Sequence, residues 1–290
     1  MSKTEKPGEP GTVAVDVGTK PAKGTYKAEQ GEKVPRLRMT DVGVTYIDRT
    51  GKKTEAVKEI TLDIDDKPGV GEIVVLLGPS GCGKSTIFKA VAGILPPTRG
   101  EILMNGVPVT DVGRDRGMVF QTYTSFGWLT VKDNVEYGLK LRGVPKKERE
   151  KDSAKYLDRV GLAEFADRYP KDLSGGMKQR VAIARTLINK PQLVLMDEPF
   201  GALDPQTRWG MQSLLLDVSR TEDNTILFVT HDVSEAVYLA DSIYVLAPRP
   251  TKILHRVDVP FFSDRDIALK SSTEFRNVEK KLLDLLYAPA

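Results

Sequence analysis

The chain of 290 residues has one cysteine, two histidines and no long apolar run, and each scarcity excludes something. The single cysteine, Cys82, rules out an internal disulfide framework and the usual zinc spacings. No stretch approaches the roughly 20 apolar residues that span a bilayer. The most apolar stretches, 73–77 and 193–196, have the length of buried parallel strands. The opening MSKTEKPGEPG lacks the apolar core of a signal peptide, so the sequence predicts a chain that stays in the cytoplasm. Any membrane role then needs a partner. A charge excess is also missing: 43 Lys and Arg against 40 Asp and Glu leave a net +3 with no basic block, which gives no argument for nucleic acid.

What is present suffices for a sizeable core, at 40% hydrophobic residues. Residues 1–34 are rich in Gly, Pro, Lys and Glu and cannot offset the entropy of ordering, so they read as a flexible tail. Residues 37–46 and 55–64 alternate apolar and polar positions around a turn-like 48–51, as an antiparallel hairpin does. Strands are expected at 72–77, 101–104, 117–120, 193–196, 225–229 and 242–245. Helices are expected from 84 and over 131–141, 146–160, 175–188, 205–218 and 234–239. The alternation implies an α/β fold, a mostly parallel sheet flanked by helices, with an antiparallel β subdomain in front. At the end, 264–286 carries Ile267, Phe275, Val278, Leu282 and Leu286 at helical spacing, an amphipathic helix for the body to cover.

Two motifs carry chemistry. Gly78-Pro79-Ser80-Gly81-Cys82-Gly83-Lys84-Ser85, followed by Thr86, fits G-x-x-x-x-G-K-[ST] between a buried strand and a helix. Its glycines let successive N–H groups point at phosphate oxygens, and the helix start adds positive potential. Lys84 is expected on the β- and γ-phosphates and Ser85 on Mg²⁺, which makes ATP the expected ligand. The second is the apolar strand ending in Asp197-Glu198. Asp197 is expected to hold the metal and Glu198 to deprotonate the attacking water.

A third stretch, Leu173-Ser174-Gly175-Gly176-Met177-Lys178-Gln179-Arg180, starts a helix with a hydroxyl and two glycines. By itself it reads as a capped helix start or an anion site. With the two motifs above it resembles the LSGGQ signature of ABC ATPases, Met177 standing where Gln is commoner. The resemblance covers about residues 37–260 and is closest to the nitrate, sulfonate, taurine and bicarbonate importer ATPases. Trp128-Leu129-Thr130-Val131, Tyr137–Gly143 and Asp197–Asp204 carry that closer likeness. Ser125-Phe126-Gly127 departs from the Leu-Leu-Pro of many relatives, and the long tail is a second departure.

The resemblance implies further roles. Gln121 is the Q-loop glutamine, touching nucleotide and metal. Asp204 lies in the D-loop, His231 is the switch histidine, and Tyr46 is the aromatic that stacks on adenine. His255 has no such setting. The P-loop NTPase fold would span 35–262, with a helical subdomain over about 122–180 and the C-terminal helix at 263–290. The end at Ala290 leaves no room for the regulatory domain of the maltose and polyamine types. The working unit would be a head-to-tail dimer, a homodimer or a heteromer, in which Ser174, Gly175 and Gly176 of one subunit complete the site of the other. Permease subunits, and indirectly a solute-binding protein, would be the partners, at the cytoplasmic face of the inner membrane. An exporter or lipid-trafficking ATPase shares these motifs. A DNA-handling relative would need long coiled coils, and a translation factor two tandem domains; the sequence has neither.

Overall fold

The structure is a computed structural model that describes residues 14–15, 34–67, 69–122, 124–261 and 265–287. Almost all of the expected flexible tail lies outside these residues. The strands are β1 (Ala14–Val15), β2 (Leu37–Ile47), β3 (Lys53–Ile64), β4 (Glu72–Leu77), β5 (Arg99–Met104), β6 (Val107–Pro108), β7 (Arg116–Val119), β8 (Leu193–Asp197), β9 (Thr225–Thr230), β10 (Ser242–Leu246) and β11 (Thr251–Asp258). The helices are α1 (Lys84–Val91), α2 (Val131–Leu141), α3 (Lys146–Arg159), α4 (Gly175–Leu187), α5 (Pro205–Thr221), α6 (Val233–Leu239) and α7 (Thr273–Tyr287).

Among the described residues all the strands join one sheet, in the order β6-β5-β2-β3-β11-β10-β4-β9-β8-β7, with β1 on β2. The half from β10 to β7 is parallel. The other half, β6 to β3, pairs antiparallel. Strand β11, which the periodicity did not single out, stitches them: it runs antiparallel to β10 and parallel to β3. It is short of apolar residues and mostly exposed, so its sequence carried a weak strand signal.

The parallel strands are apolar throughout because both faces are covered. In β4, Ile73, Val75 and Leu77 enter one core with residues of α2, α4, α5, α6 and α7. Val74 and Leu76 enter the other, with Ile87, Phe88 and Val91 of α1 and the inner face of β2 and β3. The C-terminal helix starts later than its pattern suggested, at Thr273, after a 3₁₀ turn over Ile267–Ser271. Phe275 and Leu282 are its buried anchors.

Register brings the site together. Leu77, Thr230 and, one strand further, Asp197 end close to level, since Leu77 pairs with Thr230 and Asp197 with Val229. Loops leaving these carboxyl ends form the crevice where open α/β sheets bind ligands.

Candidate nucleotide site

After β4 the chain curls through Gly78–Gly83 into α1. Gly83 has φ +125, and a Cβ there would stand 2.9 Å from Ala56 O, so only glycine fits. Lys84, the first residue of α1, is buried. Its Nζ donates to Gly78 O at 2.8 Å and Pro79 O at 2.9 Å, and lies 3.3 Å from Glu198 Oε1. The ammonium is thus held over the loop by three acceptors.

Asp197 is the last residue of β8. Burial pushes its carboxyl above the ordinary range; the Ser85 hydroxyl bonded to it and the Lys84 charge pull the other way. Glu198 follows in the left-handed region at φ +43, a conformation that costs a non-glycine residue about 1–3 kcal/mol. It is pinned by its own N–H donating to Val229 O at 3.1 Å. This bend turns the carboxylate from the sheet into the loop region. Glu198 Oε2 meets His231 Nδ1 at 3.1 Å, with His231 just past the end of β9 and half-exposed. Lys84, Ser85, Asp197, Glu198 and His231 therefore form one connected cluster.

Tyr46 approaches the same loop from β2: its hydroxyl is 3.2 Å from Thr86 Oγ1. Cys82, by contrast, is buried in the core beside α1, and burial pushes its thiol up. Its N–H donates to Pro79 O and its carbonyl accepts from the Thr251 hydroxyl. The cysteine side chain packs into the core beneath the loop.

Among the described residues no hydrogen bond or ion pair joins Gln121, Ser174 or Asp204 to this cluster. Gln121 is exposed two residues beyond the end of β7, where Val119 pairs with Met196. Ser174 caps α4, its Oγ accepting from Met177 N–H at 3.3 Å, and is exposed. Gly176 is buried where α4 meets α5, and a Cβ there would collide with Thr207 Cγ2. Gly175 stands between them. Asp204 caps α5 by accepting from Thr207 N–H at 3.0 Å. That bond draws its carboxyl below the ordinary range.

A cavity of 140 Å³ opens over the loop, lined by Gly81, Gly83, Lys84, Ser85, Thr86, Glu198 and Arg249. The signature residues do not line it. Arg249 was missed at the level of sequence, since it belongs to no motif and comes from the turn before β11. The donor set suits Mg²⁺: a hydroxyl and a carboxylate are hard oxygen ligands, and a site that leaves the rest to phosphate and water is typical of this ion. The buried Asp197, costly to ionise unpartnered, is a fitting ligand for a cation.

The family model described as ABC transporter matches residues 58–201, a span holding Lys84, Ser174 and Glu198. The nitrate import ATP-binding protein of Synechocystis is 44% identical over 256 residues, covering 86% of this chain and 94% of that protein. The chain belongs to the ABC transporter family. As an ABC ATPase it binds and hydrolyses ATP. The taurine import ATP-binding protein of Roseobacter denitrificans is 42% identical over 255 residues, 87% of this chain and 94% of its own. Among solved structures, the fold matches a dimeric ATP-binding cassette in a post-hydrolysis state with ADP and Pi. Its TM-score is 0.68 at 31% identity, over 78% of this chain and 100% of that one. It also matches CbiO1 of Clostridium perfringens, part of an ABC transporter complex, at TM-score 0.68 and 28% identity, covering 78% and 89%. Among the described residues of this ABC ATPase no helix is long and apolar enough to cross a membrane.

Proposed function

We propose that this ABC ATPase is the motor of an importer for a small anion such as nitrate, sulfonate, taurine or bicarbonate. It would work as a head-to-tail dimer beneath separate permease subunits at the inner face of the membrane, fed by a solute-binding protein. The likeness to nitrate and taurine import proteins along nearly their whole length supports the solute class. The observation that carries the dimer is the signature's position. Ser174 is exposed and its helix start does not line its own subunit's phosphate cavity, so that anion-directed end is free to serve a second chain.

The chain's own groups divide the work of hydrolysis. Lys84 binds phosphate oxygens, exchanging its hold on Gly78 O and Pro79 O for them. Ser85 and Asp197 hold Mg²⁺, which neutralises charge on the phosphates when bound. Glu198 takes the proton of the attacking water, and His231 fixes the orientation of that carboxylate. Gln121 links this centre to the loop at 122–130, which meets the permease. Tyr46 stacks on the base. ATP favours the closed dimer only through contacts made there and not in the open one.

Mixing two defective chains tests the composite site. Lys84→Ala cannot hold phosphate; Ser174→Arg blocks the signature. A mixed head-to-tail dimer has one doubly damaged site and one intact site, so tight ATP retention should return at about half the sites, on the closed-dimer logic. Mixed dimers that retain no ATP would show that the signature serves its own subunit. The solute is tested by uptake of labelled nitrate, taurine and bicarbonate in cells lacking the chain; unchanged uptake of every anion would remove the importer reading.

A further inference from the structure

Arg249 belongs to the turn between β10 and β11, and that turn is fastened to the phosphate loop at both ends. Strands β4 and β10 are parallel neighbours with Leu77 opposite Val245, so the two loops leave the sheet side by side. On one side Gly78 approaches Leu246 so closely that a Cβ would stand 3.0 Å from Leu246 Cβ. On the other, the Thr251 hydroxyl donates to Cys82 O, and Gly83 is pressed against the same threonine. Within the turn Ala247 N–H donates to Lys252 O at 2.9 Å.

This fastening fixes Arg249 on the wall of the phosphate cavity, beside Gly81 and Gly83. Two cations line that cavity. Lys84 is engaged by two carbonyls and Glu198. Arg249 is exposed, and among the described residues no hydrogen bond or ion pair takes up its guanidinium. A planar guanidinium matches phosphate oxygens with two parallel N–H donors, and an uncommitted one has nothing to break before binding.

We propose that Arg249 is a nucleotide-binding residue of this ATPase, a second cation that grips the polyphosphate chain of ATP and ADP from the wall of this cavity. The proposal rests on the assignment of Lys84 to the phosphate site. It distinguishes Arg249 from the hydrolytic groups: its effect falls on affinity for both nucleotides, since both carry the phosphates that the loop wraps.

The test is equilibrium binding of MgATP and MgADP to the full chain as wild type, Arg249→Gln, Arg249→Lys and Lys84→Ala, each at low and high salt. Arg249→Gln should raise both dissociation constants about tenfold, the usual worth of one charge-assisted contact at a partly exposed site, and flatten their salt dependence. Arg249→Lys should recover only part of the loss, because a charge remains but the paired donors are gone. Melting of the nucleotide-free chain should be the same in all three Arg249 forms. Wild-type affinity of Arg249→Gln for both nucleotides overturns the proposal. So does a fall in melting temperature that lysine fails to rescue, which would make the arginine a brace of the turn. If Lys84→Ala also binds normally, the phosphate-site assignment itself has failed; if only Lys84→Ala is weak, the failure is confined to Arg249.

Discussion

Glu198 and His231 are joined directly, Oε2 to Nδ1 at 3.1 Å, although 33 positions separate them in the chain. The contact exists because β8 and β9 are parallel neighbours and because Glu198 adopts φ +43. Groups that act as one unit are not additive. Glu198→Gln should keep ATP binding and slow hydrolysis by about 10²–10⁴. His231→Ala should slow it too, and the double variant should be little worse than Glu198→Gln alone. Steady-state turnover of the four forms checks this; a double loss equal to the product of the single losses would mean the two act separately.

Cys82 should resist alkylation. Its side chain is buried and burial pushes the thiol up, so at neutral pH little thiolate is exposed. Maleimide labelling should be slow in the nucleotide-free protein and hardly change with MgATP. A nucleotide-protected fast label would put the thiol in the phosphate cavity.

Gly176 should be required for folding stability as well as for any role toward ATP. A Cβ there meets Thr207 Cγ2, so Gly176→Ala should destabilise by about 1–3 kcal/mol, the usual cost of overpacking. Thr207→Ser removes that methyl and keeps the hydroxyl, so the double variant should regain most of the loss in thermal melts. Equal melting of Gly176→Ala and wild type would contradict the packing.

Asp197 should be destabilising in the nucleotide-free protein at neutral pH. Its folded pKa lies above the unfolded one, so its contribution is most favourable below the unfolded value and is lost as pH rises through the folded value. Asp197→Asn should therefore raise the neutral-pH melting temperature relative to wild type, with a smaller difference in acid, while impairing MgATP hydrolysis. A variant that melts lower at pH 7 would show that Asp197 is compensated by its neighbours.

Trp128 should matter to a partner and little to the fold. It is 75% exposed, touching Phe126 with ring centroids 5.4 Å apart. Phe126 is the anchored member, against Tyr137 at 4.7 Å and beneath Arg185 at 5.1 Å. Trp128→Ala should change stability by no more than about 0.5 kcal/mol and leave the isolated ATPase active, while weakening co-purification with permease subunits. A large drop in melting temperature would give Trp128 a core role instead.

The sequence alone determined the strands of the parallel half of the sheet and the glycine-rich loop assigned to phosphate. These are local signals: 73–77 and 193–196 are unbroken apolar runs, and Gly78–Ser85 is a contiguous motif in which Gly81 and Gly83 take positive φ. It also supplied the carboxylate pair, because Asp197 and Glu198 are adjacent at a strand end. Tertiary structure decided what depends on register and on close approach between distant segments. Strand β11 has an exposed, mixed face, so its joining of the two halves was not legible in its pattern. The turn of Cys82 into the core is set by packing against α1, and nothing in the motif fixes the side on which that residue points. That Gly176 is also where α4 touches α5 is a close approach that its motif does not show. Arg249 reaches the phosphate cavity only because β10 lies beside β4 and their loops leave the sheet together; in sequence it is 165 residues past Lys84, with no spacing to connect them.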